Sequence, residues 1–329
     1  MYLDRRNVLA GLLGSVGVAG CTNPATGRPI SALKPNVRPA RMIPYDQFEA
    51  RRRIVQTSFG KIAYTEYGEG SPALFLHGLA LNSYFWTGQL TGLSAARRCI
   101  AIDLMAHGHS EISQTQDVSF TAQADMAWAV LDALNIDEAD LVGSDSGGAI
   151  AQIMAVKQPK RTSSLVLTNC DVHDNWPPNA LKAIRASAPD GLAENFAQIV
   201  EHPELVRSPQ GLAPLVFANP DIASDAFVDI FLGPLTRTAR QRGAFNRYAA
   251  PQDPTQLTRI EADLKQLDAP ALILWGTDDI FFPLPWAYWL EATLPNAQPV
   301  IEFEGEKLFF PFERPDAVNA EILKFWNGL

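Results

Sequence analysis

A single aspartate, Asp145, stands at the centre of the segment LVGSDSGGAIAQ, which covers residues 141–152. The apolar run before it and the Ala-rich run after it predict a strand that turns sharply into a helix at this residue. Gly143 and Gly147 frame Asp145 alone, and Ser146 lies off the central position. A residue at the centre of such a turn adopts strained backbone dihedrals, so its neighbours must be small. The free N–H groups of the following helix stabilise an anion there, and we therefore expect an ionised carboxylate.

An ionised aspartate can attack an alkyl carbon and form an ester on the protein. Such an ester is broken down by water, which a histidine activates while a second acid orients that histidine. The segment WGTDD, which ends at Asp279, supplies an acid directly after an apolar run. The alternative interpretations are a turn residue for Asp279 and a helix N-cap without chemistry for Asp145.

The elements that must position these side chains follow from the hydrophobic pattern. ALFLHG, RCIAID, ADLVGS, TSSLVLTNC, APALILWG and QPVIEFEG are typical of strands, and helical patterns separate most of them. RRIVQTSFGKIAYTEYGEGSP alternates around a Phe-Gly pair and predicts a two-stranded hairpin. Strands that alternate with helices predict βαβ units and a mostly parallel, doubly wound sheet.

The alternation breaks at residues 176–258, where helical patterns contain many prolines and no strong strand pattern occurs. We therefore expect a helical cap at 176–258, inserted between two core segments, 52–175 and 259–329. Such a cap would cover the carboxyl ends of the strands, where α/β sheets bind ligands. An insertion without a function is the alternative interpretation.

The order of elements and motifs resembles the α/β-hydrolase family over nearly the whole of residues 52–329. HG resembles the family's oxyanion loop, DLMAHGHS the loop after its fourth strand, GSDSGG its nucleophile elbow, and WGTDD the loop with its catalytic acid. The resemblance implies that His77 and Gly78 belong to the oxyanion loop, with a structural role for His77. It also implies that Asp279 takes the place of the catalytic acid.

An aspartate in the elbow resembles the branch that contains haloalkane dehalogenases, haloacetate dehalogenases and epoxide hydrolases. This branch places the water-activating histidine in a loop after the last strand. That loop is EGEKLFFPFERP here, and the histidine position falls on Leu308, or on Lys307 or Phe309 if the loop slips by one. No histidine occurs after His202, so a register error cannot restore one.

Three further positions depart from the pattern of this branch. Ser146 stands where the dehalogenases have a halide-binding tryptophan, and Leu79 stands where they have a polar halide-binding residue. Ala80 stands where the epoxide hydrolases have a proline. Neither specific activity is therefore implied with its full set of motifs.

Another histidine is needed if water activation follows the usual chemistry, and His173 is the best candidate. It follows the strand TSSLVLTNC, so we expect it at the active-site end of the sheet. Asp171 and Asp174 are close enough in sequence to orient it. A loop histidine at the cap entrance, without a catalytic role, is the alternative interpretation.

These patterns leave two main hypotheses. The first is a hydrolase that acts through Asp145 on a small apolar, halogenated or ester substrate, with an atypical water activator. The second is a non-hydrolytic ligand-binding protein on the same scaffold, which the leucine at position 308 favours. A serine hydrolase that uses Ser146 is a weaker third hypothesis, because the glycines frame the neighbouring residue.

The N-terminus predicts export. Paired arginines at 5–6 precede a short apolar run, which resembles a twin-arginine signal over residues 1–21, and VAGC resembles a bacterial lipobox ending at Cys21. We expect a lipid-anchored protein of the periplasm or cell envelope, with a Pro-rich tether at 22–51. A generic signal peptide with a chance cysteine is the alternative.

The composition excludes several other classes of partner. A net charge of -9 and the lack of a basic stripe argue against nucleic acid. The histidines and cysteines never form metal-ligand spacing, and we expect neither metal nor cofactor. A small-molecule substrate and, through the lipid anchor, the membrane are the partners that the sequence predicts.

Overall fold

A computed structural model describes residues 42–188 and 190–329. The predicted export signal with Cys21, and the tether up to residue 41, lie outside the described residues. The end of the predicted tether is folded, because Tyr45–Glu49 form a short helix in which Phe48 is fully buried. The Phe48 ring packs edge-on against Tyr84 at 5.0 Å. The folded part therefore begins before Arg52, because Ile43 and Phe48 are both buried in a segment that the sequence predicts as a tether.

The core is an eight-stranded sheet in the order β1-β2-β4-β3-β5-β6-β7-β8. Its strands are β1 (Arg53–Thr57), β2 (Gly60–Tyr67), β3 (Pro72–Leu76), β4 (Arg98–Ile102), β5 (Ala139–Asp145), β6 (Thr162–Cys170), β7 (Ala271–Gly276) and β8 (Ile301–Phe303). The β1–β2 hairpin and the β2–β4 pair are antiparallel, and the other pairs are parallel. The mostly parallel sheet that the sequence predicts is confirmed.

Helices cover the sheet and fill the long connection after β6. They are α1 (Tyr45–Glu49), α2 (Thr87–Leu93), α3 (Phe120–Ala133), α4 (Ser146–Lys157), α5 (Asn179–Ala186), α6 (Leu192–Glu201), α7 (Ala213–Val216), α8 (Asp225–Phe231), α9 (Gly233–Thr236), α10 (Ala239–Ala249), α11 (Glu261–Leu264), α12 (Pro285–Thr293), α13 (Phe310–Glu313) and α14 (Pro315–Asn327). Short 3-10 turns join several of them. Within the two described ranges, no helix combines the length and the apolar character that a bilayer crossing requires.

The central strands of the sheet position the candidate site. Every residue of β5 is buried, as a strand covered on both faces of a parallel sheet requires. The carboxyl ends of β3, β5, β6 and β7 lie side by side at one edge, and this is the edge where α/β sheets bind ligands.

The connection between β6 and β7 contains helices α5 to α11, and in the part of the chain described here no strand interrupts them. Helices α5 to α10 lie within the cap predicted at 176–258, and α11 follows that range. The cap contacts the core directly, since the Asn82 side chain donates a hydrogen bond to the Ile230 carbonyl oxygen at 2.8 Å. The Phe309 N–H donates to the Val216 carbonyl oxygen at 2.9 Å, so the loop after β8 is fastened to the cap as well.

Candidate active site

Asp145 stands at the junction of β5 and α4 with φ 54° and ψ −131°. This backbone conformation is strained for a residue with a Cβ atom and persists where surrounding packing holds it. Gly143 and Gly147 provide that packing: a Cβ at Gly147 would overlap the Leu76 carbonyl oxygen, and one at Gly143 would overlap the Gly147 backbone. The tight turn that the glycine frame predicts is therefore present.

Two backbone N–H groups hold the Asp145 carboxyl group. The Ser146 N–H donates to Oδ1 at 2.6 Å and the Leu79 N–H donates to Oδ2 at 3.1 Å. Gly78 makes this approach possible, because a Cβ at that position would overlap the Asp145 side chain. The two N–H groups come from the oxyanion loop and from the residue after the elbow, which is the arrangement that stabilises a developing oxyanion.

His77 holds the oxyanion loop in place from beneath. It is fully buried, its Nδ1 lies 2.9 Å from the Gly78 carbonyl oxygen, and its Nε2 accepts the Leu104 N–H at 3.0 Å. Since Nε2 is an acceptor, Nδ1 carries the proton and the ring is neutral. Burial lowers the pKa of His77 to about 4. This geometry gives His77 a positioning role.

A largely apolar cavity opens above Asp145, between the strand ends and the cap. Leu79 and Ser146 lie beside Asp145 at its base, and the rest of the lining comes from the cap and the loops after β6, β7 and β8. Apolar lining residues from the cap include Leu181, Ile184, Phe196, Ile199, Leu212 and Leu215. A cleft of mostly apolar side chains with a few convergent polar groups is the usual form of a small-molecule site.

Leu308 lines this cavity and is only 3% exposed. Asp279, the predicted catalytic acid, is buried after β7 and is not among the lining residues. Its Oδ2 accepts a hydrogen bond from the Asn169 side chain at 2.8 Å, and its Oδ1 accepts the Phe281 N–H at 2.7 Å. Asp279 is thus held by an amide and a backbone N–H, where the resemblance would have placed an imidazole.

Comparison with known proteins agrees with this geometry. Residues 72–313 match the family model described as the alpha/beta hydrolase fold. The chain belongs to the α/β-hydrolase fold family. It is 25% identical to haloalkane dehalogenase 2 of Mycobacterium tuberculosis over 293 residues, which cover 83% of this chain and 93% of that protein.

Two further proteins are similar to this chain over most of its length. Non-heme chloroperoxidase of Streptomyces lividans is 30% identical over 290 residues, which cover 82% of this chain and 98% of that protein. A solved structure of an alpha/beta hydrolase fold protein from Burkholderia ambifaria matches with a TM-score of 0.69 at 24% identity, covering 83% of this chain and 97% of that one. The relatives support a hydrolase of the α/β-hydrolase type.

This α/β hydrolase does not bring His173 to the cavity. The ring lies 4.7 Å from that of Trp289, centroid to centroid, and its Nε2 lies 3.0 Å from the Glu261 carboxylate. Its Nδ1 lies 3.5 Å from the exposed Asp174 carboxylate. His173 follows β6 as expected, but it is not among the residues that line the cavity, because its ring packs against Trp289 of α12 and its Nε2 faces Glu261 of α11.

Asp171 is the carboxyl that does enter the cavity from this loop. The sequence singled it out only as a residue that could orient His173. It is 1% exposed, and its Oδ1 has no hydrogen-bond partner among the residues that the structure describes. Its N–H donates to the Asp145 carbonyl oxygen at 3.4 Å. The position directly after a buried strand was the signal that could have identified Asp171.

The Ser146 hydroxyl group is hydrogen-bonded to a residue of the cap. Its Oγ accepts a hydrogen bond from the Tyr248 hydroxyl at 2.7 Å, and both residues line the cavity. Burial raises the pKa of Tyr248, so the phenol is neutral and acts as a donor. A contact between residues this far apart in sequence leaves no local signal, and the sequence did not predict it. The side-chain partner of the Ser146 hydroxyl is thus a neutral phenol and not a base, which opposes the serine-hydrolase hypothesis.

The electrostatics of the site are dominated by buried carboxyl groups. Burial raises the pKa of Asp145 to about 7, a nearby charge on Asp279 adds to the rise, and the two N–H bonds oppose it. Burial also raises the pKa of Asp279 to about 7. For Asp171, burial and the Asp145 charge raise the pKa well above its usual value, and Arg185 partly offsets them. Three acids in one dry region cannot all be ionised at neutral pH.

The two described ranges contain no group of three or more His, Cys, Asp or Glu side chains that could hold a metal ion. Cys99 and Cys170 are free and buried. The cavity-lining groups that could do chemistry include the Asp145 and Asp171 carboxyl groups, the Ser146 and Tyr248 hydroxyl groups and the Arg185 guanidinium.

Proposed function

We propose that this protein is a hydrolase in which Asp145 attacks an alkyl carbon of a small apolar substrate and forms an ester intermediate. One observation carries the proposal: the Asp145 carboxyl group lies at the base of the cavity, on a strained turn, with a backbone N–H on each oxygen. A carboxylate held in this way is oriented before substrate arrives, and preorganisation of this kind lowers the barrier to attack.

The reaction divides into two steps. First, an Asp145 oxygen bonds to the substrate carbon, and the bond to the leaving group breaks with its electron pair. Next, water attacks the Cγ atom of the ester, and the negative charge that develops on the carboxyl oxygen is stabilised by the Leu79 and Ser146 N–H groups. Collapse of this intermediate releases an alcohol, which takes one proton of the attacking water, and regenerates the Asp145 carboxylate, while the second proton of that water is released to solvent.

The lining of the cavity supports an apolar substrate. Aliphatic and aromatic side chains from α5, α6 and α7 form one side of the wall, and Phe281, Leu308 and Phe309 contribute to it from the core. Burial of apolar substrate surface against these residues contributes roughly 25 cal/mol per Å².

The test is a covalent adduct on the peptide that contains Asp145. Wild-type protein is incubated with a panel of apolar epoxides, bromoalkanes and activated esters, digested, and analysed by mass spectrometry. Adduct and turnover are expected for wild type and for Asp278→Asn, which removes an exposed carboxylate after β7. Asp145→Asn is expected to show neither. A folded wild-type protein without adduct or turnover on the whole panel would refute the proposal.

A second candidate function is ligand binding without hydrolysis. The specific observation is Leu308, which fills the position of the usual histidine, while Asp279 is held by Asn169 and the Phe281 N–H. On this alternative, Asp145 is structural. Saturable binding of an apolar ligand that persists in Asp145→Ala, without turnover by wild type, supports binding alone. Turnover that Asp145→Ala abolishes excludes this candidate.

We also propose that the mature chain begins at Cys21 and is exported and lipid-anchored, on the basis of the twin-arginine and lipobox-like motifs. Labelling of expressing bacteria with an alkyne fatty acid tests this. Incorporation into wild type and its loss in Cys21→Ser are expected, with the twin-arginine pair left intact as the control for export. Equal labelling of both proteins would contradict the anchor.

A further inference from the structure

The cavity presents two carboxyl groups from neighbouring strands, and their hydrogen bonding is unequal. Asp145 has a backbone N–H on each oxygen, whereas the Asp171 Oδ1 is buried without a partner in the described part of the chain. The strand ends are joined directly by the bond from the Asp171 N–H to the Asp145 carbonyl oxygen. The two side chains therefore face one apolar space from adjacent positions.

Unequal hydrogen bonding decides which of the two groups is ionised. N–H donors stabilise a carboxylate, and an apolar site without donors favours the neutral acid. The first negative charge therefore resides on Asp145, and it opposes a second charge on Asp171 nearby. Once Asp145 is ionised, the pair carries one proton, on Asp171. An ionised and a protonated carboxyl side by side is the arrangement that separates a nucleophile from a general acid.

We propose that Asp171 is the proton-transfer residue of this site, acting first as an acid and then as a base, and that the substrate is an apolar epoxide. The proposal rests on the proposed function of Asp145. An epoxide is favoured because its leaving oxygen stays on the product and must gain a proton. A halide leaves as an anion without gaining a proton, so it would make no use of a protonated Asp171.

Water is the only reactant that this reaction needs besides the epoxide. Asp145 attacks a ring carbon, the carbon–oxygen bond of the epoxide breaks, and the oxygen takes the proton of Asp171. The result is a hydroxyalkyl ester on Asp145 and a carboxylate at Asp171. Asp171 then accepts a proton from water as that water attacks the ester Cγ atom. Collapse expels the second diol oxygen, which takes a proton from the Asp145 carboxyl, so that Asp145 is again ionised and Asp171 protonated.

The charge in the site changes in the order that this sequence requires. Esterification removes the Asp145 charge, so the like charge that opposed ionisation of Asp171 disappears at the moment when Asp171 gives up its proton. Arg185, a cap residue that lines the cavity, continues to favour the Asp171 carboxylate through its positive charge. Its buried Nε has no hydrogen-bond partner among residues 42–188 and 190–329. Asp171 can therefore serve as the base where histidine is lacking.

The experiment compares an epoxide with a bromoalkane of similar size in single-turnover assays. Wild type is expected to convert the epoxide to the diol, while Asp171→Asn slows this conversion about 100-fold or more, the range for loss of a general acid–base group. The bromoalkane needs no proton in the first step, so its adduct on Asp145 forms at similar rates in both proteins. Asp174→Asn and His173→Ala, which alter the same loop outside the cavity, retain wild-type rates.

Each failure is distinguishable. No adduct on Asp145 with either reagent refutes the proposed function itself. An adduct on Asp145 combined with wild-type epoxide turnover by Asp171→Asn refutes the role of Asp171. Loss of activity in His173→Ala alone would assign proton transfer to histidine and also refutes the proposal. If Asp171→Asn does not fold, Asp171→Ala assayed with added formate replaces it, and rescue by formate is expected.

Discussion

Replacement of Asp145 by asparagine is expected to remove activity and yet to stabilise the protein above pH 7. The Asp145 carboxyl is buried, and burial is the main reason why its pKa rises from 3.8 to about 7. The folded state therefore binds this proton more tightly than the unfolded state does. Stability from this group is fully present below pH 3.8 and is lost as the pH rises through about 7.

The size of this effect on stability follows from the rise in the pKa of Asp145. A rise of about 3 pKa units corresponds to a cost on the order of 4 kcal/mol when Asp145 is ionised in the folded protein. Between about pH 4 and pH 7, this one group lowers the free energy of unfolding by about 1.4 kcal/mol per pH unit. Asparagine does not titrate, but it leaves one backbone N–H without an acceptor, which costs roughly 1–3 kcal/mol. The net gain at pH 8 is about 1–3 kcal/mol.

The assay is urea unfolding followed by tryptophan fluorescence at several pH values between 5 and 8. The free energy of unfolding is expected to fall less steeply with pH for Asp145→Asn than for wild type. The difference in slope corresponds to about one proton. The stability of Asp145→Asn still falls with pH, because Asp171 and Asp279 are also buried acids with raised pKa values. Asp278→Asn, at an exposed neighbour of Asp279, is expected to keep the wild-type slope. Equal slopes for wild type and Asp145→Asn would refute the reasoning.

Three further predictions concern the same site. Gly78→Ala would push the new Cβ into Asp145 and is expected to lower turnover about 100-fold. Gly243→Ala is the control, because nothing lies near the added Cβ. It should leave turnover unchanged and add up to about 1 kcal/mol of stability. The rate of bromoalkane adduct formation should rise about tenfold from pH 6 to pH 8, as Asp145 ionises with a pKa of about 7, and a flat profile would contradict this. Leu308→His places an imidazole in the loop after β8 that lines the cavity and is expected to accelerate breakdown of the Asp145 adduct by about 100-fold. An unchanged breakdown rate would show that an imidazole at this position does not activate water.

Local pattern was sufficient for the elements that present Asp145. The strand β5 is a continuous apolar run, and small residues on both sides of Asp145 are needed wherever the backbone turns this sharply. The same holds for the parallel strands, whose alternation with helices leaves few possible topologies. The sheet, the elbow and the helical insertion were therefore accessible from the sequence.

The remaining features depend on contacts between distant segments. His173 and Asp171 lie two residues apart on one loop, and only the packing of the ring against Trp289 decides which of them enters the cavity. Tyr248 reaches Ser146 from the cap, and Phe48 is buried from a segment that is otherwise polar. Spacing along the chain contains no information about these directions, so the sequence could name Asp171 as a residue at a strand end but could not show that its side chain enters the cavity in place of His173.

Isotope labelling tests the central claim most directly. If water attacks the Cγ atom of an Asp145 ester, repeated turnover in water enriched in oxygen-18 transfers heavy oxygen into the Asp145 carboxyl group itself. Mass spectrometry of the peptide that contains Asp145 should then show a gain of about 2 or 4 Da, and the same peptide from protein kept in labelled water without substrate should show none. Turnover that labels the product while the Asp145 peptide stays unlabelled would contradict the nucleophilic role of this residue.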